Sequence, residues 1–104
     1  MKVVCVCMGG VNRSAALVYL LRHPPNGGHD AVAIGYTNVG TELRDFLFRW
    51  ADRIVVMEQY MCAFVPAEWR YKSMICEVGP DRFGNPRHAE LLALCQKFID
   101  ENFR

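Results

Sequence analysis

Residues 3–21, VVCVCMGGVNRSAALVYLL, leave the chain few folds to choose from. The β-branched apolar run Val3 to Val6 is halted by Gly9 and Gly10, and an apolar pattern of helical period then places Leu17, Leu20 and Leu21 on one side. This predicts a buried strand, a short loop from Cys7 to Arg13, and a helix over Ala15 to Leu21. Such a unit aims successive backbone N–H groups and the positive end of a helix dipole into one concavity, which suits it to hold phosphate.

The alternation continues along the chain. Pro24, Pro25, Gly27 and Gly28 stop the first helix and predict a surface loop from Arg22 to Asp30. AVAIGY (Ala31 to Tyr36) reads as a second strand. TELRDFLFRWA (Thr41 to Ala51) reads as a helix capped by Thr41, with Leu43, Phe46, Leu47 and Trp50 inward. RIVVM (Arg53 to Met57) is a third strand, EQYMCAFV (Glu58 to Val65) a short helix, and SMICEV (Ser73 to Val78) a fourth strand. Arg87 to Phe103 closes the chain as an amphipathic helix with Leu91, Leu94, Cys95 and Phe98 on its apolar face. Strands that are continuously apolar and alternate with helices predict an α/β fold, a parallel sheet covered on both faces. In such sheets the active crevice lies beyond the carboxyl ends of the strands, where Cys7 and the loop Gly79 to Pro86 both fall.

Composition narrows the functional class. With 104 residues, 52% of them hydrophobic and 22% charged, the chain is expected to form one soluble globular domain over residues 1–104. A net charge of +1 with no basic run argues against nucleic acid or an anionic membrane as partner. No stretch approaches the roughly 20 apolar residues of a membrane helix, so a cytoplasmic location is expected. The five cysteines are odd in number and form no CxxC pair, which points to a reduced compartment rather than a disulfide framework. Cys5 with Cys7 is better explained by alternation along a strand than by zinc, because no second Cys or His pair has metal spacing. His23, His29 and His88 lie near helix ends or in the Pro/Gly loop and are assigned solvent or capping roles.

The chemistry concentrates in CMGGVNRS, where Cys7 is followed six residues later by Arg13 and then Ser14. A thiolate is stabilised at a helix N-terminus, beside an arginine and facing amides. Arg13 carries a planar fork that can grip two phosphoryl oxygens bidentately, which lysine cannot do. Ser14 either donates a hydrogen bond toward the thiolate or caps the helix. Cys5, Cys62, Cys76 and Cys95 read as buried structural thiols.

The strand-borne C-x5-R-S of Cys7 to Ser14 resembles the phosphate loop of the low-molecular-weight protein tyrosine phosphatases, particularly a short bacterial and phage-type branch. WADRIVVME (Trp50 to Glu58) and PDRF (Pro80 to Phe83) extend the resemblance over most of the chain. It implies a three-layer α/β/α fold around a four-stranded parallel sheet, and phosphomonoester hydrolysis through a phosphocysteine on Cys7, without a metal or other cofactor. The substrate would be a phosphotyrosine protein or a small aryl phosphate. Where the family usually has Asn at the third position after the nucleophile, in a left-handed conformation, this chain has Gly10. The family's acid loop reads D-P-Y or D-P-F, whereas here Pro80 precedes Asp81 and the aromatic Phe83 follows two residues later.

Asp81, between Pro80 and Gly84, is the candidate general acid, with Glu77 and Glu58 as alternatives. The amides of Met8, Gly9, Gly10, Val11 and Asn12 would cradle phosphate, while Met8, Val11 and Phe83 match family positions that wall a slot for an aromatic ring. Small sugar-transport IIB phosphocarriers share a cysteine loop and often a glycine like Gly10, but generally lack an arginine at the position of Arg13. An arsenate reductase on the same scaffold would need two further cysteines, for which Cys62 and Cys76 are the plausible pair. Retention of both Cys7 and Arg13 gives no support to a non-catalytic phosphotyrosine binder.

Overall fold

The computed structural model describes residues 1–103. Four parallel strands form one sheet in the order β2-β1-β3-β4, with β1 over Lys2–Cys7, β2 over Asp30–Gly35, β3 over Arg53–Val56 and β4 over Ser73–Ile75. The register sets Val3 beside Ala31 on one side and Arg53 on the other. Three α-helices accompany the sheet: α1 (Arg13–Arg22), α2 (Thr41–Trp50) and α3 (Ala89–Asn102). Two 3-10 turns, Gln59–Phe64 and Ala67–Lys72, join β3 to β4. Among the described residues no helix is long and apolar enough to cross a membrane.

From β1 the chain crosses through α1 to β2 on one side and returns through α2 to β3 on the other. Right-handed crossovers in opposite directions put α1 and α2 on opposite faces, and α3 packs against α1. On the face of α2, Phe48 stands edge-on to Phe64 at 6.0 Å and to Trp69 at 6.1 Å. The result is the expected three-layer α/β/α arrangement. Val3, Val4, Cys5 and Val6 are wholly buried, as a central strand covered on both faces requires.

Several local expectations are corrected. Gly40, not Thr41, is the N-cap of α2, and Leu43 and Phe46 lie exposed on the surface. The helix instead buries Phe48, with Leu47 and Trp50 partly covered against the core. The face carrying Phe48 turns inward although it is less apolar along the helix, and there Phe48 packs edge-on against Phe64 and Trp69. Glu58 to Val65 winds as a 3-10 turn, Ala67–Lys72 adds a second that has no apolar period of its own, and β4 stops at Ile75. In the loop after α1, Asn26 is buried and exchanges two amide hydrogen bonds with Gln96 of α3, at 2.6 and 2.8 Å.

The strand order changes direction at β1. Where successive connections leave opposite faces of a parallel sheet, a crevice opens beyond the strands' carboxyl ends. Cys7 is the last residue of β1 and therefore stands at its floor.

Candidate active site

The loop from Met8 to Asn12 is held by the segment that follows β2. Tyr36 N donates to Cys7 O at 3.0 Å, Thr37 N and Oγ1 both donate to Met8 O, at 3.2 and 2.7 Å, and Asn38 Nδ2 donates to Gly9 O at 3.1 Å. A trans peptide points its N–H opposite its C=O. With three successive carbonyls engaged outside, the amides of Met8, Gly9 and Gly10 face the other way, and Gly10 N donates to Cys7 Sγ at 3.1 Å.

Gly10 has φ +73°, the left-handed conformation expected at this position. A Cβ there would also stand 2.7 Å from Gly35 N and 2.8 Å from Ile34 C. Gly35 is the reciprocal half of the contact, since its own Cβ would lie 2.4 Å from Gly9 C. Loop and strand end thus meet backbone to backbone. Gly35 was not singled out by the sequence; its only signal is a glycine closing an apolar strand.

Helix α1 begins at Arg13 with Asn12 as N-cap and no side-chain cap bond. Ser14 is therefore inside the first turn, and its Oγ stands 3.0 Å from Cys7 Sγ, which decides between the two roles open to it. Cys7 and Arg13 are 3% and 2% exposed. Arg13 Nη1 donates to Glu58 Oε1, just beyond β3, and to Gly79 O at 2.8 Å in the loop after β4. Burial opposes the Arg13 charge, but the Glu58 hydrogen bond, the Cys7 sulfur and the Glu58 carboxylate outweigh it and hold the guanidinium above its ordinary pKa. Arg13 Nε is buried without a hydrogen-bond partner. A charged donor left unmet inside a protein is costly unless a ligand completes it.

Against the Met8–Arg13 loop opens a cavity of ≈ 590 Å³ lined by Met8, Gly9, Val11, Arg13, Thr37, Glu58, Pro80 and Asp81. Met8 and Val11 are 47% and 66% exposed and form its apolar rim. Asp81 stands at its edge, where its Oδ2 accepts from Asn12 Nδ2 at 3.0 Å, so the Cys7–Arg13 loop reaches across to the candidate acid. Glu58 is committed to Arg13, and Glu77 accepts from the backbone N–H groups of Gln59 and Gly79 at 2.9 and 3.3 Å.

Phe83 departs from expectation. It is buried and does not line the cavity; its ring lies 4.4 Å beneath the Arg82 guanidinium and 5.3 Å from the His88 ring. Positive φ at Gly79 and Gly84 bends the loop so that this ring turns inward. Of the histidines, His88 caps α3 by accepting from Glu90 N at 3.2 Å, and His23 stacks on Tyr19. His29 is neither exposed nor capping, because it packs edge-on to Phe103 with Nδ1 buried and unpartnered. Cys76 is buried, and its interaction with Cys95 together with burial pushes its thiol up, while burial chiefly does the same to Cys5.

The chain's fold as a whole is known from solved structures. Vibrio vulnificus Wzb in complex with benzylphosphonate superposes with a TM-score of 0.67 at 19% identity, covering 96% of this chain and 97% of that one. A low molecular weight protein tyrosine phosphatase from Bacillus subtilis gives 0.66 at 16% identity over the whole of both chains. The YwlE arginine phosphatase from Geobacillus stearothermophilus gives 0.62 at 16% identity, covering 96% and 91%. This chain therefore has the fold of the bacterial low-molecular-weight protein tyrosine phosphatases. No protein-family model matches the sequence, and no curated protein matches it.

Proposed function

We propose that this chain is a cysteine-dependent phosphomonoester hydrolase, a protein tyrosine phosphatase whose substrates are phosphotyrosine proteins or small aryl phosphates, with residues 1–104 as one catalytic domain. The observation that carries this reading is the Cys7 sulfur, held at the first turn of α1 by Gly10 N–H and the Ser14 hydroxyl beside a buried guanidinium whose Nε lacks a partner. Five cysteines without a disulfide pattern favour the cytoplasm as its place of action.

In the first step the Cys7 thiolate forms an S–P bond as the ester P–O bond breaks, and Asp81 gives its proton to the departing oxygen. The amides of Met8 to Arg13 and the Arg13 fork hold the other phosphoryl oxygens. In the second step Asp81, now ionised, takes a proton from water while the water oxygen attacks phosphorus. The S–P bond breaks, releasing inorganic phosphate and the thiolate. Fixed donors around a loose transition state contribute most of the rate. A phosphocarrier would preserve its phosphocysteine, and Arg13 with Asp81 beside it favours hydrolysis instead. An arsenate reductase would need a relay pair, and Cys62 and Cys76, fourteen residues apart with Cys76 buried, do not favour one.

The test is hydrolysis of phosphotyrosine, phosphoserine and phosphoarginine peptides and of para-nitrophenyl phosphate, with chelator present. Phosphotyrosine turnover that vanishes in Cys7→Ser while phosphate-analogue binding persists is the expected result. Full activity in Cys7→Ser refutes the mechanism, and a stable phosphocysteine that passes its phosphate to a sugar restores the carrier reading.

A further inference from the structure

Beside the catalytic cavity lies a second one, of ≈ 270 Å³, lined by Tyr36, Tyr60, Met61, Ala63 and Phe64. Three of its walls are aromatic. Tyr36 is edge-on to Tyr60 at 6.3 Å and tilted against Phe64 at 5.4 Å, while Met61 is buried beneath. No charged residue contributes to the lining. Tyr60 is 51% exposed, so the cavity presents an apolar surface to its visitor.

The two cavities have no lining residue in common, but their linings adjoin along the chain at Tyr36–Thr37 and at Glu58–Tyr60. Tyr36 holds Cys7 O through its backbone N–H and is followed by Thr37, which lines the catalytic cavity. Tyr60 comes two residues after Glu58, another lining residue, and interacts with Tyr36, Glu58 and Arg13. A polypeptide whose phosphorylated residue entered the first cavity would carry its neighbours past the second at about 3.3–3.6 Å per residue.

We propose that this aromatic cavity is a substrate subsite that takes the apolar or aromatic side chain of a residue one or two positions from the phosphorylated residue of a polypeptide. The inference rests on the phosphatase reading and narrows it to protein substrates. Ligand sites for independent small molecules usually exceed roughly 300 Å³, so this volume suits a single side chain tethered to something already bound. Its lining of aromatic rings and Met61 favours an apolar or aromatic side chain, whose burial there is stabilising.

The experiment compares wild-type kcat/KM on phosphotyrosine peptides that differ only at the flanking positions, carrying Leu or Phe, Gly, or Asp, with para-nitrophenyl phosphate as reference. Burial of one apolar side chain predicts about a tenfold preference for Leu or Phe over Gly, expressed in KM. Ala63→Trp fills the cavity from an exposed position and should collapse that ratio toward one. The ratio is internal to each protein, so a general loss of activity in the variant cancels. Equal kcat/KM on all peptides, or a preference that survives Ala63→Trp, overturns the subsite while leaving the phosphatase reading intact. No hydrolysis of any substrate refutes the phosphatase reading itself. Wild-type dimerisation abolished by Ala63→Trp would assign the cavity to a second copy of the chain and also overturn the proposal.

Discussion

Replacing Gly35 by alanine should disable the phosphate loop from outside it. Gly35 closes β2, and a Cβ placed on it would stand 2.4 Å from Gly9 C, 2.7 Å from Gly9 O and 2.8 Å from Gly10 N. These are backbone atoms, so no side chain can swing away, and ordinary contact is restored only if the loop retreats by about 1 Å. Overpacking of this kind costs about 1–3 kcal/mol, which for a domain this size lowers Tm by roughly 5–20 °C. A 1 Å displacement of positioned groups costs on the order of 100-fold in rate, about 2.7 kcal/mol of transition-state stabilisation. The assay is kcat/KM on para-nitrophenyl phosphate beside thermal unfolding. Gly40→Ala serves as control for the rate, because nothing lies within 4 Å of its Cβ position and its φ is −72°; as the N-cap of α2 it should itself lose about 1 kcal/mol of stability, so the two variants are compared by kcat/KM on folded protein. A folded Gly35→Ala protein with wild-type kcat/KM would refute the claim that this backbone contact shapes the loop.

Iodoacetate at pH 6 should label Cys7 before the other four cysteines, of which Cys5 and Cys76 are buried with thiols pushed up, and phosphate should protect it; mass spectrometry showing equal labelling would contradict this. Arg13→Lys keeps charge but loses the fork, so kcat/KM should fall about a hundredfold or more, roughly 3 kcal/mol, and a near-normal rate would show that charge alone suffices. Asp81→Asn should make single-turnover phosphocysteine formation strongly dependent on leaving-group pKa, while wild type depends on it weakly; identical dependence would reduce Asp81 to a turn residue tied to Asn12. Burial first, and then the N-terminal charge, lower the pKa of His29 below its ordinary value, so the unfolded chain binds its proton more readily. Stability should therefore fall as pH drops through about 6.5, and His29→Phe should flatten that slope in Tm measured from pH 7.5 to 5.5.

The sequence by itself carried the architecture and the grouping of Cys7, Arg13 and Ser14 around one loop. Val3 to Val6 could only be a strand buried on both faces, and Cys7, Arg13 and Ser14 occupy one strand-loop-helix unit whose local geometry follows from chain connectivity. The left-handed backbone at Gly10 was implied by the family resemblance, and glycine adopts it without strain. What spans distant segments was not legible. The less apolar face of α2 turns inward, where Phe48 meets Phe64 and Trp69, and Phe83 went to the core because the Gly79 to Gly84 loop bends it there. Gly35 meets the loop backbone to backbone because β2 ends against it, and Glu58 became the partner of Arg13 because β3 ends close to that side chain. Periodicity and motif spacing report forces along the chain. Close approach, burial of a charge and the filling of a cavity arise only when strands far apart in sequence end at the same place.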